Sequence, residues 1–330
     1  MTGTGGADVV PTRAFRTTVA RRRRLSPSFV RVTLTADELE HVGPQGTAAT
    51  PEAAAVSPPA WDQRIKAFLP RADGTFPELG LFADPPASMM EWYTAWRQLD
   101  DDERNPIRTY TIRAIRTDRR EIDVDFVLHV DDDGTSGPAA AWAAGAREGD
   151  DLVVIGPDRR ALASSGGIEW SPGAARDVLL AGDETAVPAI CAILEALPAG
   201  FRGEAYLEVP SGEDVLDVTT ASDVAVHWLP RDGAPLGQRL DAAVRDWGRR
   251  RVAGGGAGSG AGAGGDGYVE LDPDGQLWEV AEPGDAGLYA WLAGEAGVIT
   301  TMRRHLVKEL GMDRGRVSFM GYWKRGRSET

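Results

Sequence analysis

The chain has 330 residues, 42% hydrophobic and 26% charged, which is material for ordinary soluble cores and, by length, for two domains. Its formal net charge of −14 excludes nucleic acid as the main partner. The single cysteine, Cys191, excludes an internal disulfide framework and a cysteine-based zinc site, and no apolar run approaches the roughly 18 residues of a membrane span.

The opening stretch MTGTGGADVVPTRAF lacks a charged segment followed by an apolar core, so the expectation is no signal peptide and a cytoplasmic protein. Alternating, β-rich stretches predict strands over 13–20 and 28–35. The basic run Arg21 to Arg24 between them reads as a solvated strand end or hairpin. The Pro/Ala-rich segment 41–63 has no periodicity and is expected as a long, mobile insert. Further strands follow over 64–70, 107–116, 121–130 and 151–156, with a short helix over 138–146. Six short strands with one helix predict a small antiparallel barrel.

The rhythm changes near 172. RDVLLAGDE is a near-continuous apolar strand, and a helix follows from Thr185 to about Leu197, with Cys191 as a small core residue and Thr185 as a candidate cap. Strand-like GEAYLEVP and DVAVHWLP, helix-like LGQRLDAAVRDW, strand-like GLYAWLAGE, a helix over 299–310 and the strand GRVSFMGYW complete the pattern. Strands alternating with helices predict a doubly wound parallel sheet, whose ligands sit at the carboxyl ends of its strands. The tract 253–267 is nearly all glycine and alanine and reads as a flexible excursion.

Three stretches carry chemistry. In RTYT, Arg108, Tyr110, Thr111 and the following Arg113 put cations, an aromatic ring and a hydroxyl on one strand. That equipment suits a flat redox-active ring with a phosphate tail, and equally a barrel strand with solvated arginines. DVDFVLHVDDDGTSGPAAAWA is a strand, a polar turn and a helix whose unpaired N–H groups make an anion site, with Ser136 or Gly137 as N-cap and Pro138 in the first turn. A plain strand-to-helix turn remains the other reading, and His129 at the end of an apolar strand is more often a packed residue than a ligand. VLLAGDETAVPAI opens the second domain as a dinucleotide-binding unit does, without the Gly-x-Gly-x-x-Gly fingerprint.

Taken together and in this order, RTYTIR, DVDFVLHV…GPAAAWA, LLAGDETAVPAI, WLAGE and GYWKRG resemble the siderophore-interacting protein family, FAD-dependent ferric-siderophore reductases distantly like ferredoxin reductases. The resemblance runs from about residue 13 to the end, broken by the two inserts. It implies an N-terminal antiparallel six-stranded flavin-binding β-barrel over 13–172. A doubly wound parallel-sheet NAD(P)H-binding domain over 173–330 completes the β plus α/β fold. Carried over by position, Arg108, Tyr110, Thr111 and Arg113 would contact FAD, with Tyr110 against the flavin and Thr111 near its reactive nitrogen. His129, Ser136, Gly137, Ala139 and Ala140 match the second flavin segment. Asp183, Glu184 and Thr185 would line the nicotinamide side, and Tyr322 and Trp323 would approach the flavin from the opposite face. Val130 stands where the family has a glycine.

The implied activity is transfer of electrons from NADPH or NADH through FAD to a ferric siderophore or other ferric chelate, releasing Fe(II). The acidic EVPSGED suits a ribose hydroxyl and repels a 2′-phosphate, whereas Arg231 would serve NADPH; family grounds lean to NADPH. Ferric siderophores are often anionic, so a protein of charge −14 needs a local basic patch, for which Lys66, Lys324 and Arg325 are the candidates. Two other classes stay open: a flavin reductase with a different acceptor, and a non-catalytic siderophore-binding module.

Overall fold

Alternation of side chains across a strand decides the first unit. In a computed structural model describing residues 9–48, 50–128, 136–163, 166–253, 270–271, 277–281 and 287–326, the strands β1 (Thr12–Arg24) and β2 (Phe29–Thr35) open the chain. They are followed by helix α1 (Pro51–Ala54), strand β3 (Arg64–Phe68) and helix α2 (Met89–Gln98). Strands β4 (Ile107–Arg116) and β5 (Glu121–Val127), helix α3 (Pro138–Gly145) and strand β6 (Asp151–Pro157) complete the unit. The six strands close into a barrel in the order β1-β2-β5-β4-β3-β6, antiparallel throughout.

Every second residue of β2 and β5, Val30, Val32, Leu34, Ile122, Val124 and Phe126, enters one buried cluster that fills the barrel. Between them, Arg31 of β2 pairs with Asp125 of β5 (2.6 Å), and Asp123 of β5 pairs with Arg116 of β4 (2.6 Å). The run Arg21–Arg24 lies within β1 and is exposed, as a solvated strand end should be.

Two features depart from expectation. First, α2 is an unanticipated helix, although its start carries a sequence signal: Ser88 Oγ accepts from Glu91 N and Glu91 Oε2 accepts from Ser88 N, a reciprocal capping box. Its Trp92 and Trp96 pack with Phe68, Val153 and Ile155 into a second apolar cluster. Second, the segment 41–63 is held rather than loose. Arg159, 1% exposed, donates through Nη2 to the carbonyls of Thr47 (2.8 Å), Ala53 (2.8 Å) and Val56 (2.9 Å), and Val42 bridges Asp158.

The second compact unit comprises Ser26–Ser28 and Glu169–Glu329. It runs β7 (Asp177–Gly182), α4 (Val187–Ala196), β8 (Arg202–Val209), β9 (Asp223–Pro230), α5 (Gln238–Ala253), β10 (Glu270–Leu271) and β11 (Leu277–Glu279). The strand β12 (Leu288–Glu295), helix α6 (Ala296–Arg304) and strand β13 (Val317–Trp323) follow. The sheet order is β10-β11-β13-β12-β7-β8-β9, parallel from β13 to β9. The antiparallel pair β10–β11 extends it at one edge, which the alternation of strands and helices did not foretell.

Leu179 and Ala181 of β7 face Leu240 and Val244 of α5 and Ile299 and Met302 of α6. On the other face a Cβ at Gly182 would meet Ala186 at 2.4 Å, so α4 packs there at glycine distance. Helices therefore cover both faces. Cys191 lies buried in α4. The excursion expected over 253–267 and the flavin-segment residue His129 lie outside the described residues, apart from Ala253 at the end of α5.

Candidate functional site

In the first unit the candidate residues of β4 divide between two environments. Tyr110 is half-buried with its ring 4.4 Å from that of Phe126, which in turn lies 5.6 Å from Trp142 of α3. An aromatic chain thus links the candidate strand to the candidate helix. Arg108 donates Nη1 to the carbonyl of Ile107 (2.9 Å), and among the described residues no carboxylate lies within ion-pair distance of it. Thr111 is 6% exposed, and Arg113, 8% exposed, has its Nε 3.7 Å from Asp125 Oδ2.

Helix α3 starts at Gly137 as N-cap, with no side-chain hydrogen bond to close it and Pro138 at its first turn. The N–H groups of Ala139 and Ala140 are those a helix start leaves unsatisfied. Among the described residues nothing lies within 4 Å of where a Cβ at Gly137 would stand, and Ser136 and Gly137 are exposed. Ala139 joins the apolar cluster that fills the barrel, and Ala140 is also buried. A helix start open to solvent, a cation with no carboxylate partner and a ring held by aromatics fit a flavin dinucleotide: a platform for the ring and donors for its pyrophosphate.

In the second unit the site forms at the carboxyl ends of the parallel strands. The Asp183 carboxylate, 2% exposed, accepts from Thr185 N (2.9 Å), Glu295 N (2.7 Å) and Trp323 Nε1 (3.0 Å). Thr185 Oγ1 also donates to it, so Thr185 does not cap α4; the N-cap is Ala186, which offers no side-chain bond. Burial and the neighbouring Glu184 charge push the Asp183 carboxyl up to about 6, against the pull of its donors. Gly294 makes room for it: with φ +145, a Cβ there would sit 2.6 Å from Asp183 Oδ2.

The pairing of β12 with β13 steps between Gly294 and Glu295, opposite Gly321 and Trp323, so Tyr322 is the extra residue of a bulge. Its ring lies parallel to Trp278 at 6.0 Å and edge-on to Trp291 at 6.4 Å. Glu184, also 2% exposed, accepts from Arg231 Nη2 (2.8 Å), and Arg231 Nη1 lies 3.5 Å from Glu208. Glu208 is fully buried and accepts from the backbone of Gly237, Arg239 and Leu240, which satisfies the start of α5. The other acid of EVPSGED that is buried, Asp214, is taken up by the hydroxyls of Ser26, Ser28 and Ser211 in the same unit.

The structure thus leaves Arg108, Tyr110, Thr111 and Arg113 in two environments along β4, and gathers Thr185 and Trp323 on Asp183 at the carboxyl ends of the parallel strands, with Glu184 and Tyr322 beside them in the chain. Lys66 donates to Thr109 Oγ1 (2.9 Å) in the first unit, whereas Lys324 and Arg325 are exposed after β13 in the second. Glu295, which accepts from Val298 N (2.9 Å) at the start of α6 and also holds Arg325 N (3.3 Å), was not anticipated. Its signal is the Gly-Glu pair closing an apolar strand. Among the described residues no His, Cys, Asp or Glu group gathers as a metal site, and no helix is long and apolar enough to cross a membrane.

Comparison with known proteins places both units. Residues 18–161 match the siderophore-interacting FAD-binding domain and residues 175–326 match the siderophore-interacting protein domain. The ferric vibriobactin reductase ViuB of Vibrio cholerae is 31% identical over 228 residues, 69% of this chain and 68% of that one. An uncharacterized protein of Mycobacterium tuberculosis is 34% identical over 239 residues, 71% of each chain. Among solved structures, the siderophore-interacting protein SipS of Aeromonas hydrophila superposes with TM-score 0.60 at 28% identity, covering 96% of this chain and 94% of that one. A siderophore utilization protein of T. fusca shares the fold with TM-score 0.65 at 24% identity, over 97% and 96% of the two chains.

Proposed function

The chain belongs to the siderophore-interacting protein family, and on that premise we propose that it is a flavin-dependent oxidoreductase. It would pass electrons from NADH or NADPH through FAD to a ferric siderophore or other ferric chelate, in the cytoplasm, and so release Fe(II) for iron uptake. The observation that carries the reading is the aromatic chain from Tyr110 of β4 through Phe126 to Trp142 of α3, a helix whose start has no side-chain cap, in the unit that matches an FAD-binding domain.

The chain's residues bind and orient; no acid or base needs to be assigned. Tyr110 offers its ring face, Thr111 its hydroxyl, and Arg108 with the N–H groups of Ala139 and Ala140 takes the pyrophosphate, with Arg113, Ser136, Gly137 and His129 bordering the same cofactor. Asp183, Glu184 and Thr185 line the nicotinamide side with Tyr322 and Trp323. Lys66, Lys324 and Arg325 draw an anionic ferric chelate toward an otherwise acidic protein. FAD, when bound, supplies the conversion of a two-electron donor to the single electrons that Fe(III) accepts.

The test is the visible absorption spectrum of the purified chain after FAD is added and the excess removed. A retained flavin band that bleaches anaerobically with a nicotinamide dinucleotide and recovers on adding a ferric chelate, with Fe(II) trapped by a colour reagent, is the expected result. A folded chain that retains no flavin would overturn the reading.

A further inference from the structure

On the outer face of the first unit, a cavity of about 150 Å³ opens among Thr12, Gln63, Arg64, Lys66, Met89 and Ile155. Met89 overhangs it from the first turn of α2. Thr109 of β4 also lines it and takes a hydrogen bond from Lys66 Nζ (2.9 Å). Thr109 and Tyr110 are consecutive on a strand, so the cavity and the Tyr110 ring, which packs inward on Phe126, lie on opposite faces of β4.

The informative group is Gln63. It is 1% exposed, and its Nε2 donates to the carbonyl of Arg64 (3.1 Å). That bond sets the amide orientation, because the reverse would press oxygen against oxygen. Its Oε1 is buried and has no hydrogen-bond partner among the described residues. Buried carbonyl oxygens are almost always paired, and this one belongs to a residue on the wall of a cavity with room for more than one water. Two cationic side chains line the same space, on a chain whose formal net charge is −14. An acceptor that lacks a donor, beside concentrated positive charge and apolar walls, describes the complement of its occupant.

We propose that this cavity receives one arm of the ferric chelate, and that it selects arms carrying an amide N–H next to an anionic oxygen, as a peptide-like chelator presents. The anionic oxygen goes to Lys66 and Arg64, the N–H to Gln63 Oε1, and the carbon skeleton lies against Met89 and Ile155. Assignment of the occupant as a chelate arm rests on the reductase reading; the demand for a donor beside an anion rests on the cavity alone.

N-acetylglycine and N-acetylsarcosine test it, since both are carboxylates and only the first has an amide N–H. Titrated by NMR into the FAD-loaded chain and into the flavin-free chain, N-acetylglycine binds about five- to tenfold more tightly in both. Gln63→Leu removes the difference between the two acids without loss of the flavin band, and Lys66→Met weakens both acids alike. Equal affinity for the pair, binding of neither, or loss of binding on FAD loading, which would give the cavity to the flavin, overturns the proposal. The ligand pair keeps the test decisive even if Gln63→Leu fails to fold. In turnover, Gln63→Leu raises KM for an amide-linked ferric chelate by the same factor and leaves KM for ferric citrate unchanged; a rise in both, or in neither, overturns the assignment to a chelate arm. A chain that discriminates the two acids yet reduces no ferric chelate would defeat the reductase reading while leaving the site's selectivity intact.

Discussion

Asp183 shows how one buried carboxyl joins three parts of the second unit. Its oxygens collect donors from Thr185 just after β7, from Glu295 at the end of β12 and from Trp323 at the end of β13. Removing it leaves those donors without an acceptor, so substitution costs stability at every pH. The size of that cost depends on pH in a defined direction. The folded carboxyl is raised to about 6, so between roughly pH 4 and 6 the folded state binds the proton that the unfolded chain has released. Its contribution is therefore fully present below about pH 4 and lost as pH rises through about 6. Urea unfolding of Asp183→Asn against the parent at pH 4 to 7 should show a gap that is larger at pH 4 than at pH 7, by on the order of 2 kcal/mol. A gap independent of pH would show that the donors, rather than burial, set the charge of this group.

At the scale of the element, α3 and the segment 41–63 make opposite use of their backbone groups. The start of α3, with Gly137 as N-cap, leaves its N–H groups without a side-chain cap. Gly137→Asp would supply the missing cap, and among the described residues nothing lies within 4 Å of its Cβ position. The expected result is a more stable helix and a weaker hold on FAD, by about tenfold in Kd, from a carboxylate placed where the pyrophosphate belongs. Tighter flavin binding in that variant would remove α3 from the cofactor site. The segment 41–63, by contrast, spends its carbonyls on one guanidinium. Burial pushes the Arg159 guanidinium down without a carboxylate to offset it, so its hold on the segment comes from carbonyls alone. In Arg159→Met these carbonyls lose their donor; a loss of about 2 kcal/mol in stability and new proteolytic cutting between residues 47 and 56 should follow.

At the scale of the whole molecule, charge decides partners. Arg231, the residue a 2′-phosphate would need, is held by Glu184 and Glu208, whose negative charges oppose a phosphate. That arrangement suits NADH, and steady-state kinetics should give a higher kcat/KM with NADH than with NADPH; the reverse preference would mean that Arg231 leaves its carboxylates when the dinucleotide binds. For the iron complex, a chain of charge −14 repels anions except where cations are gathered. Reversing charge at Lys324 and Arg325 together should raise KM severalfold for an anionic ferric siderophore, an effect that shrinks with salt, and leave a neutral chelate unaffected. Equal loss with both substrates would remove these two residues from the acceptor site.

Alternation in DVDFV and FVRVTL is a local property, and it determined by itself which side chains fill the barrel and which carry the ion pairs between strands. The change to βα rhythm near 172 likewise announced the parallel sheet, because helix and strand periods are written in consecutive residues. The order of RTYTIR, GPAAAWA and AGDETAVPAI carried the family. Local pattern was present yet unread at α2, whose Ser88-to-Glu91 spacing is a capping signal. What no local pattern holds is partnership across long separations. Thr185 reads as a helix cap until Asp183 takes its hydroxyl, and Arg231 reads as a phosphate ligand until Glu184 meets it. Trp323 is assigned only when the bulge at Tyr322 turns it onto a carboxylate 140 residues away. Gln63 gives no sign in the sequence, since an orphaned oxygen exists only once the chain around it has closed. Composition and period set burial, which each residue reports for itself; pairing belongs to two residues at once, and only the tertiary structure decides which two.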